Sequence, residues 1–229
     1  MTSDPLTEAD LLRWSHSLAA IARTGLGFTE SLYERERFEE ILHVAADIHA
    51  AATRRHAPGD VVNEWLRAVG SGVEGYVTPK VAVGAVVGNE AGEILLIQRA
   101  DSGVWLYPTG WADVGYSPAE VAVKEVEEET GITVEVDALI GVFDGLRRGF
   151  SRTPLYSLVF SCRAVGGDLC PHPLECTDVG WFARDRLPAP LAGFELWGDL
   201  AFAAIQGERV DPTFDRPRSE VWGQRSEEA

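Results

Sequence analysis

Positive charge is what this sequence most lacks: 20 lysines and arginines stand against 36 aspartates and glutamates, a net charge of −16. That balance argues against non-specific binding to nucleic acid, because phosphate contacts dominate such affinity. Cysteine is nearly as sparse. Three residues, an odd number, do not make a disulfide framework and read as reduced thiols. Cys162, Cys170, His172 and Cys176 also lack the paired C-x2-4-C knuckle of structural zinc sites, which sets zinc aside. No stretch approaches the roughly 18 consecutive apolar residues of a membrane span. The start, Met1-Thr2-Ser3-Asp4-Pro5, lacks the basic and apolar run of a signal peptide. The expectation is a cytoplasmic protein with neither nucleic acid nor membrane as partner.

What is present is an ordinary globular composition, 45% hydrophobic and 24% charged, over 229 residues. Its most informative stretch runs from Gly110 to Ile132, GWADVGYSPAEVAVKEVEEETGI. Ser117-Pro118-Ala119-Glu120 predicts a helix start, with an N-cap serine, a proline at the first position and a glutamate completing a capping box. Ala119, Ala122, Val123, Val126 and Thr130 form the expected core stripe. Gly131 stands where a helix stops in a left-handed residue. On this helix Glu125, Glu128 and Glu129 fall at i, i+3 and i+4, so three like charges become neighbours on a solvent- or cleft-facing side. That repulsion calls for a cation, and hard divalent ions take oxygen ligands.

The order of loop, acidic helix and glycine resembles the Nudix box, G-x5-E-x7-R-E-U-x-E-E-x-G-U, with U an aliphatic residue. The match holds at Gly110, Glu125, Val126, Glu128, Glu129, Gly131 and Ile132. Two positions depart from it: Tyr116 replaces the first glutamate, and Lys124 replaces the arginine. Lysine keeps the charge but not the planar fork that grips a carboxylate with two bonds. The resemblance implies an α/β class protein, an α/β/α sandwich, and a pyrophosphohydrolase of nucleoside diphosphates linked to another moiety. ADP-ribose and CDP-alcohols head the implied substrates. It also implies Mg²⁺, with Mn²⁺ as a substitute, held by Glu125, Glu128 and Glu129 and by the carbonyl of Thr109.

Residues 6 to about 72 read as three helices. Leu11, Leu12, Trp14, Leu18, Ile21 and Ala22 make one apolar stripe; Tyr33, Phe38, Ile41, Leu42, Val44, Ala45 and Ile48 make another; Val61 to Val69 makes a third helix. Trp14 and Tyr33 are expected in the core. Gly70-Ser71-Gly72-Val73-Glu74-Gly75 has linker composition. Alternation then predicts strands near residues 81–87, 94–97, 134–143, 156–165 and 179–182, and a last helix over 196–206. The tail after Asp211 shows no periodicity. The expected division is a small all-α domain over 1–75 and a catalytic domain over 76–229. The segment WSHSLAAIARTGLGFTESLY with its following Glu34-Arg35-Glu36-Arg37-Phe38 is similar to the helical domain of one Nudix subgroup, which implies a homodimer.

Site roles follow from the resemblance and the residue chemistry together. Lys124 orients Glu125. Glu175, in the loop before the last strand, is the candidate base outside the box, with a box glutamate as the alternative. Arg147, Arg148 and Arg152 form the dense basic cluster, and at least one of them is expected to contact the substrate's phosphates or its linked moiety. Trp111, with Trp105, Tyr107 and Phe143, has two open roles, base stacking or core. Two other functions remain in view: a Nudix domain that senses a nucleotide sugar with little turnover, and a cleaner of the nucleoside triphosphate pool.

Overall fold

The computed structural model describes residues 7–53, 57–69, 77–113 and 115–218. The linker-like segment 70–75 and the end of the tail lie outside them. The chain divides into two compact units. One runs to Lys80 and takes in Asp144–Tyr156; the other holds Val81–Phe143 and the chain from Ser157. The sequence placed one boundary near residue 75. Packing instead also groups the 144–156 segment with the helices.

The first unit is built on α1 (Glu8–Phe28), α2 (Leu32–Thr53) and α3 (Pro58–Arg67). Thr7 and Asp10 cap α1 with a reciprocal capping box. The helices meet through small residues, with Ala19, Ala22 and Leu26 against Leu42, Ala45 and Ala46, and with Val61, Val62 and Trp65 closing the cluster. Ser15, fully buried, donates its hydroxyl to the Ala45 carbonyl at 2.8 Å. Of the predicted stripes, Leu12, Ala22, Leu42 and Ala45 are buried and Leu18, Phe38 and Ile41 pack on the core, while other members lie outside it. Ile21, Tyr33 and Val44 are exposed, Tyr33 by 70%, because alanines rather than larger residues fill the close α1–α2 contact. Trp14 is only half-buried.

The second unit is a mixed sheet. Its strands are β1 (Lys80–Gly88), β2 (Ile94–Arg99), β3 (Trp105–Leu106), β4 (Thr109–Trp111), β5 (Ile132–Asp144), β6 (Leu155–Gly167), β7 (Cys176–Phe182) and β8 (Thr213–Phe214). The order is β3-β2-β1-β6-β5-β8, with β4 paired to β1 and β7 to β2. The last pair, β5 with β8, is parallel, so the aperiodic tail contributes a strand that its sequence did not announce.

Alternation along β1 and β2 assigns the two faces. Val83, Ala85, Val87, Leu95 and Ile97 pack on Val121, Ala122 and Val126 of α4 (Pro118–Thr130). Val86, Ile94 and Leu96 pack on Trp197, Ala201 and Phe202 of the last helix (Phe194–Ile205). A helix thus covers each face of the sheet, the α/β/α sandwich expected. Trp105 and Phe143 are buried in this second core, and Tyr107 packs against it, which resolves their open roles in favour of packing.

Candidate active site

The caps of α4 form as its sequence predicts: Ser117 and Glu120 close a capping box, Pro118 opens the first turn, and Gly131 ends it at φ +74°. Of its expected core stripe, Ala122, Val126 and Thr130 are fully buried and Val123 packs against the same core, while Val121 rather than Ala119 is fully buried in the first turns. The three acids stand at different depths around this face. Glu129 is 3% exposed, Glu125 retains 12% of its side-chain surface, and Glu128 stands out at 53%. The helix therefore offers one buried, one half-sunken and one exposed carboxylate rather than a uniform solvated row.

Two backbone features hold the inner pair. β4 lies antiparallel to β1, with Gly110 opposite Val83 and Thr109 opposite Gly84. The Thr109 N–H donates to Glu129 Oε2 at 2.9 Å, while its hydroxyl donates to the Val83 carbonyl at 2.9 Å. Gly110 faces Glu125 so closely that a Cβ there would overlap the carboxyl group. Only glycine lets the strand approach the acid in this way.

Lys124 gathers the outer charges. Its Nζ lies 3.0 Å from Glu128, 3.3 Å from Asp113 and 3.8 Å from Glu125. The bond to Glu128, with Asp113 and Glu125 adding, holds its ammonium above the ordinary lysine range.

The loop after β6 completes the wall by capping the far end of α4. Cys170 N–H donates to the Thr130 carbonyl at 2.8 Å and His172 N–H to that of Glu129 at 3.2 Å. These carbonyls belong to the last turn, which has no partners within the helix. The Glu175 carbonyl then accepts from Ala100 N–H at 2.8 Å, tying the loop to the end of β2. The result is a cavity of about 480 Å³. Arg99, Asp101, Asp113, Lys124 and the exposed acids Glu128 and Glu175 line it with the inner acids Glu125 and Glu129, and Ala100, Thr109, Gly110, Trp111 and Leu174 complete it.

Burial is the main force on the inner acids. It pushes the Glu129 carboxyl up to about 8, against the Thr109 N–H and Arg99 and with the charges of Glu125 and Glu175 adding. Glu125 is raised for the same first reason, with Lys124 opposing. Low-dielectric carboxylates this close share too little positive charge among protein groups, and a divalent cation fits that deficit. As they stand, the side chains turn to protein partners, Glu129 to Thr109 and Glu128 to Lys124. Among the described residues no three acids, histidines or cysteines converge tightly enough to hold an ion.

Of the residues singled out from sequence, Thr109, Trp111, Lys124, Glu125, Glu128, Glu129 and Glu175 come together here. Arg147, Arg148 and Arg152 do not line the cavity. They belong to the first unit, where Asp144 caps the short helical turn Gly145–Arg148 and Arg152 pairs with Glu8 at 2.9 Å. The cavity's arginine is Arg99, which no local cluster marked. Its only signal was a lone basic residue at the end of the apolar run Ile94 to Ile97.

Known proteins place this architecture. Residues 78–198, more than half of the chain, match the NUDIX domain. The chain belongs to the Nudix family. Residues 9–65 of this Nudix protein also match the UDP-X-like, N-terminal oligomerisation domain. It is 32% identical over 179 residues to a putative ADP-ribose pyrophosphatase of Bacillus subtilis, spanning 77% of this chain and 82% of that one. A MutT-like protein of Streptomyces ambofaciens is 39% identical over 56% of this chain and 77% of its own. Among solved structures, a UDP-X diphosphatase superposes with a TM-score of 0.54 at 29% identity, covering 92% of this chain and all of that one. The Nudix chain is thus a hydrolase of nucleoside diphosphates linked to a further moiety, from a family that generally uses divalent metal ions. No described helix is long and apolar enough to cross a membrane.

Proposed function

We propose that the protein is a Mg²⁺-dependent pyrophosphohydrolase whose substrates are nucleoside diphosphate sugars or alcohols, ADP-ribose first among them. The observation that carries this reading is the meeting of the sunken Glu125 and Glu129 with the Thr109-Gly110 strand in one cavity. Glu125, Glu128 and Glu129 would hold the ion, with the Thr109 carbonyl as a further ligand. Mn²⁺ would serve in place of Mg²⁺. Bound there, the ion neutralises phosphate oxygens and lowers the pKa of the attacking water.

The chain's own groups divide the remaining work. Thr109 N–H fixes the orientation of Glu129, and Lys124 does the same for Glu125 and Glu128. Glu175 takes the proton from the attacking water. Arg99 offers its planar donors to the diphosphate, and Trp111, half-exposed at the rim, offers a face to the base or sugar. The N-terminal match to an oligomerisation domain supports a homodimer. The free thiols of Cys162, Cys170 and Cys176 support a reducing compartment, the cytoplasm.

The test is a panel of ADP-ribose, CDP-choline, UDP-sugars, dinucleoside polyphosphates and nucleoside triphosphates with Mg²⁺, measuring phosphate released after phosphatase treatment. ADP-ribose should turn over with the highest kcat/KM, and chelation should abolish it. Tight binding of one compound with no turnover of any would leave a sensor. Preference for nucleoside triphosphates would make it a pool cleaner.

A further inference from the structure

Arg99 closes a two-bond fork on Asp101, Nε to Oδ1 at 3.0 Å and Nη2 to Oδ2 at 2.8 Å. The backbone around the fork is pinned. Gly103 N–H donates to the Arg99 carbonyl at 2.8 Å, Arg99 N–H to Val104 at 3.0 Å, and Ala100 N–H to Glu175 at 2.8 Å. Both charged residues line the cavity that holds Glu125, Glu129 and Glu175.

The charge arithmetic of that cavity is lopsided. Among the described residues, Asp101, Asp113, Glu125, Glu128, Glu129 and Glu175 line it against only Arg99 and Lys124. Lys124 is already shared among Asp113, Glu125 and Glu128. Arg99 is therefore the one lining cation left for Glu129 and Glu175, and its charge is felt at Glu129. Attraction grows as the local dielectric falls. A guanidinium released from Asp101, whose side chain is 64% exposed, would stay beside the buried Glu129 and pair with its carboxylate once that is ionised.

We infer that Asp101 is a positioning residue. It holds the Arg99 guanidinium in a fork at the cavity rim and keeps it from closing on Glu129 and Glu175. The Glu129 oxygens then stay open to a divalent cation and those of Glu175 to the attacking water, while the guanidinium N–H groups that Asp101 does not occupy stay open to a phosphate. The inference rests on reading the buried acids as cation ligands.

Mn²⁺ affinity of the full chain without nucleotide, read from the EPR signal of the free ion, tests it. Asp101→Ala should weaken Mn²⁺ binding about threefold to tenfold, as expected for a coupled charge pair. The double variant Arg99→Gln, Asp101→Ala should regain the wild-type affinity or exceed it, an outcome that a merely structural turn residue does not produce. Asp101→Asn, nearly isosteric, should shift affinity in the same direction with an unchanged melting temperature. Wild-type affinity in Asp101→Ala, or a double variant as weak as the single one, overturns the inference alone. Failure of the wild-type chain to bind Mn²⁺ overturns it together with the reading of the acids as ligands.

Discussion

The helical unit and the sheet unit bury their apolar residues in opposite ways. In the sheet unit, Val83, Ala85, Val86, Val87 and Ile94 to Ile97 are all fully buried, each face sealed by a helix of the same unit. In the helical unit, alanines make the tight contact, while Phe28, Leu32, Tyr33 and Val44 stay exposed at 54–78%. A unit that seals both faces with its own chain can hold carboxylates in fixed places. The sheet unit also leaves Leu174 and Phe214 exposed. Phe28, Leu32 and Tyr33, by contrast, fall within one short stretch at the α1–α2 turn. Apolar side chains grouped in this way are suited to being covered by another surface. On the proposed reading, chemistry and association fall to different parts of one chain, and each can be broken separately.

The largest effect should come from Glu129→Gln. Removing the buried carboxylate proposed to hold the ion should lower kcat/KM about a thousandfold, the scale seen for key electrostatic groups, with no change in molecular mass by light scattering. Loss of the oligomer in this variant would show that the two roles are not separable. Next in size is the helical unit. Replacing Leu32 and Tyr33 by serine should raise the dimer dissociation constant about a hundredfold, since burying one such side chain contributes about 1.5–3 kcal/mol. Analytical ultracentrifugation would measure it, and an unchanged constant would move the interface elsewhere. Gly110→Ala follows, because its Cβ would displace the Glu125 carboxyl. A shift on that scale should cost tens of fold in kcat, again at constant mass.

Legibility differed between local and distant causes. The caps of α4 were readable because Ser117, Pro118, Glu120 and Gly131 act within one turn of their own position. Strand alternation was readable for the same reason. Which acid sinks was not, since Glu129 is drawn inward by the N–H of Thr109, 20 residues earlier. Nor was the use of Arg152, whose partner Glu8 lies 144 residues away. The places of Ile21, Tyr33 and Val44 outside the core were not legible, because hydrophobicity ranks these residues above alanine. Close helix packing prefers the smaller residue.

The buried acid also gives the sheet unit a pH signature. The Glu129 carboxyl is raised to about 8 from an ordinary value of 4.5. The folded chain then binds this proton more tightly than the unfolded chain. Its contribution to stability is complete below about pH 4.5 and is lost as pH rises through about 8, up to a few kcal/mol. In chelator, the melting temperature should fall between pH 6 and pH 9, and Glu129→Gln should remove most of that slope. Mg²⁺ should protect more at pH 9, where the carboxylate is free to bind it. A wild-type slope no steeper than the variant's would contradict the burial argument.

The smallest expected effect concerns Arg147, Arg148 and Arg152. Arg152 commits its guanidinium to Glu8 at 2.9 Å, and its carbonyl lies 2.8 Å from His16 Nε2. That spends the charge on holding the 144–156 segment to α1. The pair is about half-exposed, so solvent screening limits it to about 0.5 kcal/mol. Changing all three arginines to alanine should keep kcat/KM within about twofold, small against the thousandfold expected for Glu129→Gln, and should slightly lower the melting temperature. A fall of tenfold or more, with the melting temperature intact, would return the cluster to the substrate. The division of labour between the two units would then fail at this segment, the only one that leaves the sheet unit's run of sequence to join the helices.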